Sequence, residues 1–144
     1  MSDELTRFGV AVPGSLLNSF DEVIQEQGYA NRSEAIRDLI RDKLVKETWE
    51  SGQGEVIGAL TLVYDHHSRE VQERLTQLQH DFHAVVISTL HVHLDAHNCL
   101  EVIVLRGSAT DIKKMSDALI SQTGVVHGQL AVTAVSKVVE HAHS

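Results

Sequence analysis

The sequence predicts an α+β fold in two parts, a short β-α-α unit followed by a β-α-β-β-α-β domain. Three observations carry this expectation. Arg7–Val12 alternates apolar and small or polar residues at the strand period of two, and from Leu16 to Val45 the apolar residues recur at helical spacing. Ser51-Gly52-Gln53-Gly54 has the composition of a short flexible linker. Beyond it, strand-like apolar runs alternate with amphipathic helical stretches. The expected division is an N-terminal domain over 1–50, a linker at 51–54 and a second domain over 55–144.

In the first unit Phe8, Val10 and Val12 face one way and Arg7, Gly9 and Ala11 the other, until Pro13-Gly14 stops the strand. Leu16, Leu17, Phe20, Val23 and Ile24 mark one face of a helix that Gly28 should end. Asn31, with Glu34 three residues on, reads as the N-cap of a second helix. That helix carries Ala35, Ile36, Leu39, Ile40, Leu44 and Val45 and should fray after Trp49. One strand and two helices are too few residues to close a core, and a lone strand leaves both edges unpaired. A second copy is the physical remedy. Two strands would make an antiparallel ribbon of the width that enters the DNA major groove, with Arg7, Gly9 and Ala11 toward the bases. The same pattern also suits a dimerisation module with no DNA role.

The second part opens with a strand over Val56–Tyr64. A helix follows from Ser68, its candidate N-cap, with Val71, Leu75, Leu78 and Phe82 on the apolar face. Val85–Leu94 and Cys99–Leu105 read as strands. Ala109–Gln122 reads as a helix with Ile112, Met115, Leu119 and Ile120 inward, and Val125–Val139 holds the last strand. This order is the split β-α-β, ferredoxin-like plan, with helices on one face of an antiparallel sheet. The uncovered face calls for a partner.

Composition bounds the function. The net charge is −8, with six Lys and Arg against ten Asp and Glu on each side of Gly52. Taken alone, that argues against a nonspecific coat for nucleic acid but leaves room for a small basic face. No run of eighteen apolar residues suggests a membrane span, and Met1-Ser2-Asp3-Glu4 lacks the start of a signal peptide. A single cysteine excludes an intrachain disulfide framework. A cytoplasmic protein fits these features.

The chemistry concentrates in Thr89-Leu90-His91-Val92-His93 and the sole cysteine, Cys99. Residues two apart on a strand share a face, so His91 and His93 can aim at one point. If the polar segment Asp95-Ala96-His97-Asn98 reverses the chain, Cys99 returns beside them. Two imidazoles and a thiolate make most of a shell for a borderline-soft ion. The plain alternative is a strand histidine pair and a small core cysteine. Ten histidines in the chain, with His80 and His83 just upstream, favour the metal.

Gly28-Tyr29, Asn31-Arg32-Ser33-Glu34-Ala35-Ile36-Arg37-Asp38, Gln79-His80, the His91/His93 stretch and Asn98-Cys99-Leu100-Glu101 together resemble the nickel-responsive transcriptional repressor family, NikR. The resemblance runs from Arg7 to about Leu130. It implies a homotetramer, in which two ribbon-helix-helix dimers flank a core of four ACT-type regulatory domains. It also implies planar Ni(II) held by His91, His93 and Cys99 of one chain and His80 of a neighbour, with Gln79 and Glu101 placed to orient the ligands. Glu34 and Asp38 become candidates for a hard-cation, potassium-like site. The implied output is a non-enzymatic repressor of nickel uptake that binds a double-stranded operator of two half-sites. Cys99 must lose its proton to bind, so affinity should fall as pH drops.

The DNA face departs from the family pattern. Arg7 remains, but Gly9 and Ala11 cannot hydrogen-bond bases through side chains. Base reading then falls largely on Arg7, and specificity shifts toward half-site spacing and DNA shape. Backbone amides over Asn31, Arg32 and Ser33 could hold phosphates, and Arg69 could add one contact. His66 and His67 could form an auxiliary metal site or be loop histidines; His97, His127, His141 and His143 are not assigned as primary ligands. Two rival readings are a nickel storage or delivery protein and a metal-dependent enzyme. The enzyme needs an open coordination position, which a fourth ligand from His80 would fill. A small-molecule-sensing ACT regulator is a lesser variant.

Overall fold

A computed structural model of the chain describes residues 3–133, which divide into two compact units between Ile40 and Arg41. The order of elements is α1 (Gly14–Glu26), α2 (Arg32–Ser51), β1 (Glu55–Asp65), α3 (Arg69–Asp81), β2 (Val86–His93), β3 (Asn98–Ser108), α4 (Ala109–Ile120) and β4 (Val125–Thr133). None of the described helices is long and apolar enough to cross a membrane.

In the first unit the strand expected over Arg7–Val12 is not formed: residues 3–13 are neither helix nor strand. The reason is local. A strand needs a neighbour for its N–H and C=O groups, and the single chain supplies none. Phe8 and Val10 are accordingly 67% and 71% exposed. Pro13 precedes α1, and its carbonyl accepts the first helical hydrogen bond, from Leu17 at 3.1 Å. Gly28, at φ 87°, ends α1 as expected. The Tyr29 N–H reaches Ile24 O and the Gly28 N–H reaches Gln25 O, the paired bonds of a Schellman turn. Asn31 caps α2 by accepting from the Glu34 N–H at 3.0 Å. Arg32 forks onto Asp21 through two bonds of 2.8 and 2.7 Å and holds that carboxyl below its usual range.

The second unit realises the ferredoxin-like plan as one antiparallel sheet of order β2-β3-β1-β4. The central pair β1 and β3 is aligned over eleven residues, from Glu55 opposite Ser108 to Asp65 opposite Asn98. Alternation decides the faces. Val56, Leu60, Leu62 and Tyr64 of β1 join Cys99, Ile103 and Leu105 of β3 in the core, where Val71 and Leu75 of α3 and Ile112, Met115 and Leu119 of α4 meet them. Ser68 and Ser108 cap α3 and α4, accepting from Val71 N–H and Asp111 N–H. The helix α2 runs two residues past Trp49, which packs partly buried against this core under the Lys113 ammonium, 4.7 Å from its ring. The expected linker is tied down: Gly52 O accepts from Thr110 Oγ1 at 3.1 Å. On the opposite sheet face Leu90 and Val92 lie across from Val102 and Leu100, with Leu90 60% exposed. The continuation of β4 expected to Val139, and His141 and His143, lie outside the described residues.

Candidate metal centre

Three strand ends build the site. The Asp95–Asn98 segment reverses the chain as expected: Asp95 Oδ1 accepts from the His97 and Asn98 N–H groups at 2.8 Å, and Leu94 N–H donates to Asn98 O. These bonds hold the Asp95 carboxyl below its usual range. The reversal sets His93 opposite Cys99 and His91 opposite Glu101. Because Tyr64 of β1 is also opposite Cys99, the sulfur lies between the two strands, fully buried.

Among the described residues one group has the composition and spacing of a metal site: His66, His93 and Cys99, whose ligand atoms all lie within 4.8 Å of one another. Cys99 Sγ is 3.1 Å from His66 Nδ1 and 3.7 Å from His93 Nδ1. The imidazoles of His66 and His93 stand edge to face at 4.4 Å between centroids. His66, which the sequence offers with His67 as an auxiliary-site or loop histidine, joins the group without His67. Its signal was nonetheless present, since the buried phase of β1 (Leu62, Tyr64) reaches His66 at the next step of two.

His91 sits beside this group, 5.6 Å from His93 between ring centroids. Its Nδ1 lies 3.2 Å from the Tyr64 hydroxyl and 3.5 Å from Glu101 Oε1. Glu101 is buried and accepts from Gln79 Nε2 at 3.1 Å, while Gln79 Oε1 accepts from Thr89 Oγ1 at 3.0 Å. The two residues expected to orient the ligands therefore contact each other and link α3 to both strands. His80, at the exposed end of α3, stands outside the cluster; its carbonyl oxygen lies 3.1 Å from His83 Nδ1.

The electrostatics follow from burial. Desolvation, aided by the Glu101 and Asp95 carboxylates, pushes the Cys99 thiol up. Burial chiefly, then Glu101 and Cys99, raises the Tyr64 hydroxyl beyond its normal range. A cation at the sulfur would reverse the penalty on the thiolate, which is the electrostatic condition for a metal ligand. Two imidazoles beside one sulfur, with a third imidazole adjacent, suit a borderline-soft divalent ion such as nickel.

The other expected residues are scattered. Arg7, Gly9 and Ala11 are exposed in the segment before α1, and a Cβ at Gly9 would meet nothing within 4 Å. Ser33 is exposed in the first turn of α2, while the side chains of Asn31 and Arg32 are committed to Glu34 N–H and to Asp21. Glu34 is exposed, whereas Asp38 is half-buried and accepts from the Tyr29 hydroxyl at 2.7 Å. Arg69 is exposed at the start of α3.

A family model of the NikR C-terminal nickel-binding domain matches residues 57–133, and a model of copG-family ribbon-helix-helix proteins matches residues 6–47. A protein of Solibacter usitatus named "Putative nickel-responsive regulator" is 58% identical over 90% of this chain and 93% of its own length. Proteins of the same name from Geobacter sulfurreducens and Thermococcus onnurineus are 57% and 52% identical over 93% of this chain, covering 96% and 97% of their lengths. Among solved structures, an uncharacterized protein of Thermotoga maritima superposes with a TM-score of 0.50 at 16% identity, covering 54% of this chain and 96% of that one, a likeness of fold.

Proposed function

The chain belongs to the nickel-responsive regulator family, with a ribbon-helix-helix DNA-binding domain and a nickel-binding domain, and on that premise we propose that it represses nickel-uptake genes when nickel is plentiful. It is a regulator and not an enzyme. The observation that carries the proposal is the donor set around a buried sulfur, Cys99 with His93 opposite and His91 on the same face, one strand from the Gln79–Glu101 contact. The nickel ligands are His91, His93 and Cys99 of one chain and His80 of another. Gln79 and Glu101 hold the site's geometry. The protein works in the cytoplasm.

Two apolar surfaces support a homotetramer. In the first unit a groove of about 1040 Å³ is lined by Phe8, Val10, Val12, Leu16 and Phe20. A second copy fills it by pairing the two Arg7–Val12 segments into the ribbon expected from their alternation. The exposed sheet face around Leu90 and Val92 takes the second contact. Nickel then ties His80 of one chain to the β2–β3 hairpin of another. That link favours the placement of the two ribbons that fits both operator half-sites, and it does so only by its differential affinity for that placement. The division into residues 1–50, 51–54 and 55–144 follows this split of roles. Arg7 reads bases, Gly9 and Ala11 allow close approach, backbone amides over Asn31–Ser33 and the Arg69 side chain meet phosphates, and Glu34 with Asp38 takes a potassium-like ion. Arg32 contributes its backbone, since its guanidinium is held by Asp21.

Titration of metal-free protein with Ni(II), beside Cys99→Ser, tests the reading. One ion per chain with thiolate charge-transfer and planar-nickel bands, both lost in the variant, is the expected result. Nickel should also strengthen binding to a two-half-site operator. An octahedral spectrum without thiolate bands would sink the nickel site.

A further inference from the structure

We propose that His66, His93 and Cys99 form a second metal site, complete within one chain, that takes a tetrahedral-preferring ion such as Zn(II) and competes with nickel for Cys99. The competition rests on the nickel reading above; the site itself does not. Three observations build it. The first is spacing. Zinc bonds of about 2.3 Å to sulfur and 2.0–2.1 Å to nitrogen, opened to a tetrahedral angle, separate sulfur and nitrogen by about 3.5 Å. The sulfur of Cys99 lies 3.1 and 3.7 Å from the two Nδ1 atoms, on either side of that value.

The second is preorganisation. His66 is not a loose loop residue. Its N–H donates to His97 O at 2.8 Å and its carbonyl accepts from Gln72 Nε2 at 2.8 Å. The backbone is thus clamped between the β2–β3 turn and α3, and the half-buried imidazole is delivered to the sulfur without help from another chain. The third is the engagement of His91, whose Nδ1 lies against Tyr64 and Glu101. Within one chain the histidine that completes the group is therefore His66.

Binding is a simple exchange. The thiol proton leaves to solvent as the sulfur bonds the ion, two neutral imidazoles donate nitrogen, and water takes the fourth position. The ion makes no bond to His80, so it ties no chains together. His93 and Cys99 are shared with the nickel set, so an ion in one site excludes an ion from the other. The metal's geometric preference decides whether a chain closes on itself or reaches its neighbour.

Co(II) serves as a coloured stand-in for Zn(II) on the full-length metal-free protein. Wild type and His80→Ala should both give the intense visible bands of a tetrahedral sulfur-bound Co(II), displaced by one Zn(II) per chain. In His66→Ala those bands should vanish and Zn(II) affinity should fall by more than about tenfold, the loss that even an outer-sphere defect can cause. His66→Cys keeps a donor and should restore them with a stronger sulfur charge-transfer band, which separates loss of a ligand from loss of fold. Tetrahedral bands unchanged in His66→Ala, or lost in His80→Ala, would overturn the proposal. The planar nickel spectrum should show the reverse dependence. Its absence from wild type would remove the nickel reading and leave the cobalt result to stand.

Discussion

The two halves of the chain solve the problem of a core in opposite ways. The second unit finishes its core alone. β1 is paired on both sides, and fourteen buried residues, from the sheet, α3, α4 and the turn before β2, close around one another. Among its described apolar residues the first unit buries only Ile24 and Ala35, and it leaves Phe8, Val10, Val12 and Leu16 open. A domain that folds alone can present a site, whereas one that needs its twin can report on assembly. The difference teaches where regulation can enter, because only the second kind of stability depends on how chains meet.

The sharpest way to break the contrast is Phe8→Ala. In the assembled protein it should cost about 3–5 kcal/mol, with an unfolding midpoint for the first unit that depends on protein concentration. Thermal melts over a hundredfold concentration range check this, and a concentration-independent loss would refute the shared core. Leu60→Ala, at a fully buried position of β1, should cost about 2–5 kcal/mol with no such dependence. Denaturant unfolding at two concentrations reads the difference. Asn31→Ala removes the cap of α2 and should cost about 1 kcal/mol, visible in the transition that Phe8→Ala affects. The smallest effect belongs to Asp21. Its carboxyl is held low by Arg32, so the pair's contribution is present above the ordinary carboxylate pKa and is lost as pH falls through the depressed one. Wild type should therefore lose an increment as pH falls below the ordinary carboxylate range that Asp21→Asn lacks, and salt should shrink it because the pair is solvent-exposed.

Much of the fold was legible because periodicity and capping are local. Gly28, Asn31, Ser68 and the Asp95–Asn98 turn could be read from spacing, and each makes the hydrogen bonds its position calls for. The strand over Arg7–Val12 was legible as a pattern but is not a structure of one chain, since the single chain supplies no strand to pair with it. The site was partly legible. A His-x-His pair and a cysteine can be paired by assuming a hairpin, and the register confirms His93 opposite Cys99. His66 was legible only as an auxiliary candidate beside His67 and not as a neighbour of Cys99, because that closeness depends on the β1–β3 register across more than thirty residues. Nothing local announces that register. Likewise the Tyr64 hydroxyl at His91 is a diagonal contact between strands that the chain order does not make adjacent.

The burial of Cys99 reaches beyond coordination. A thiol kept protonated and out of solvent is a poor target for peroxide and for alkylating electrophiles, which attack accessible thiolates. The one thiol in the chain is thus shielded from irreversible chemistry until a cation draws off its proton. A bound cation would engage one of the thiolate's lone pairs. Before any ion arrives, burial alone guards the chain's one thiol with hydrocarbon.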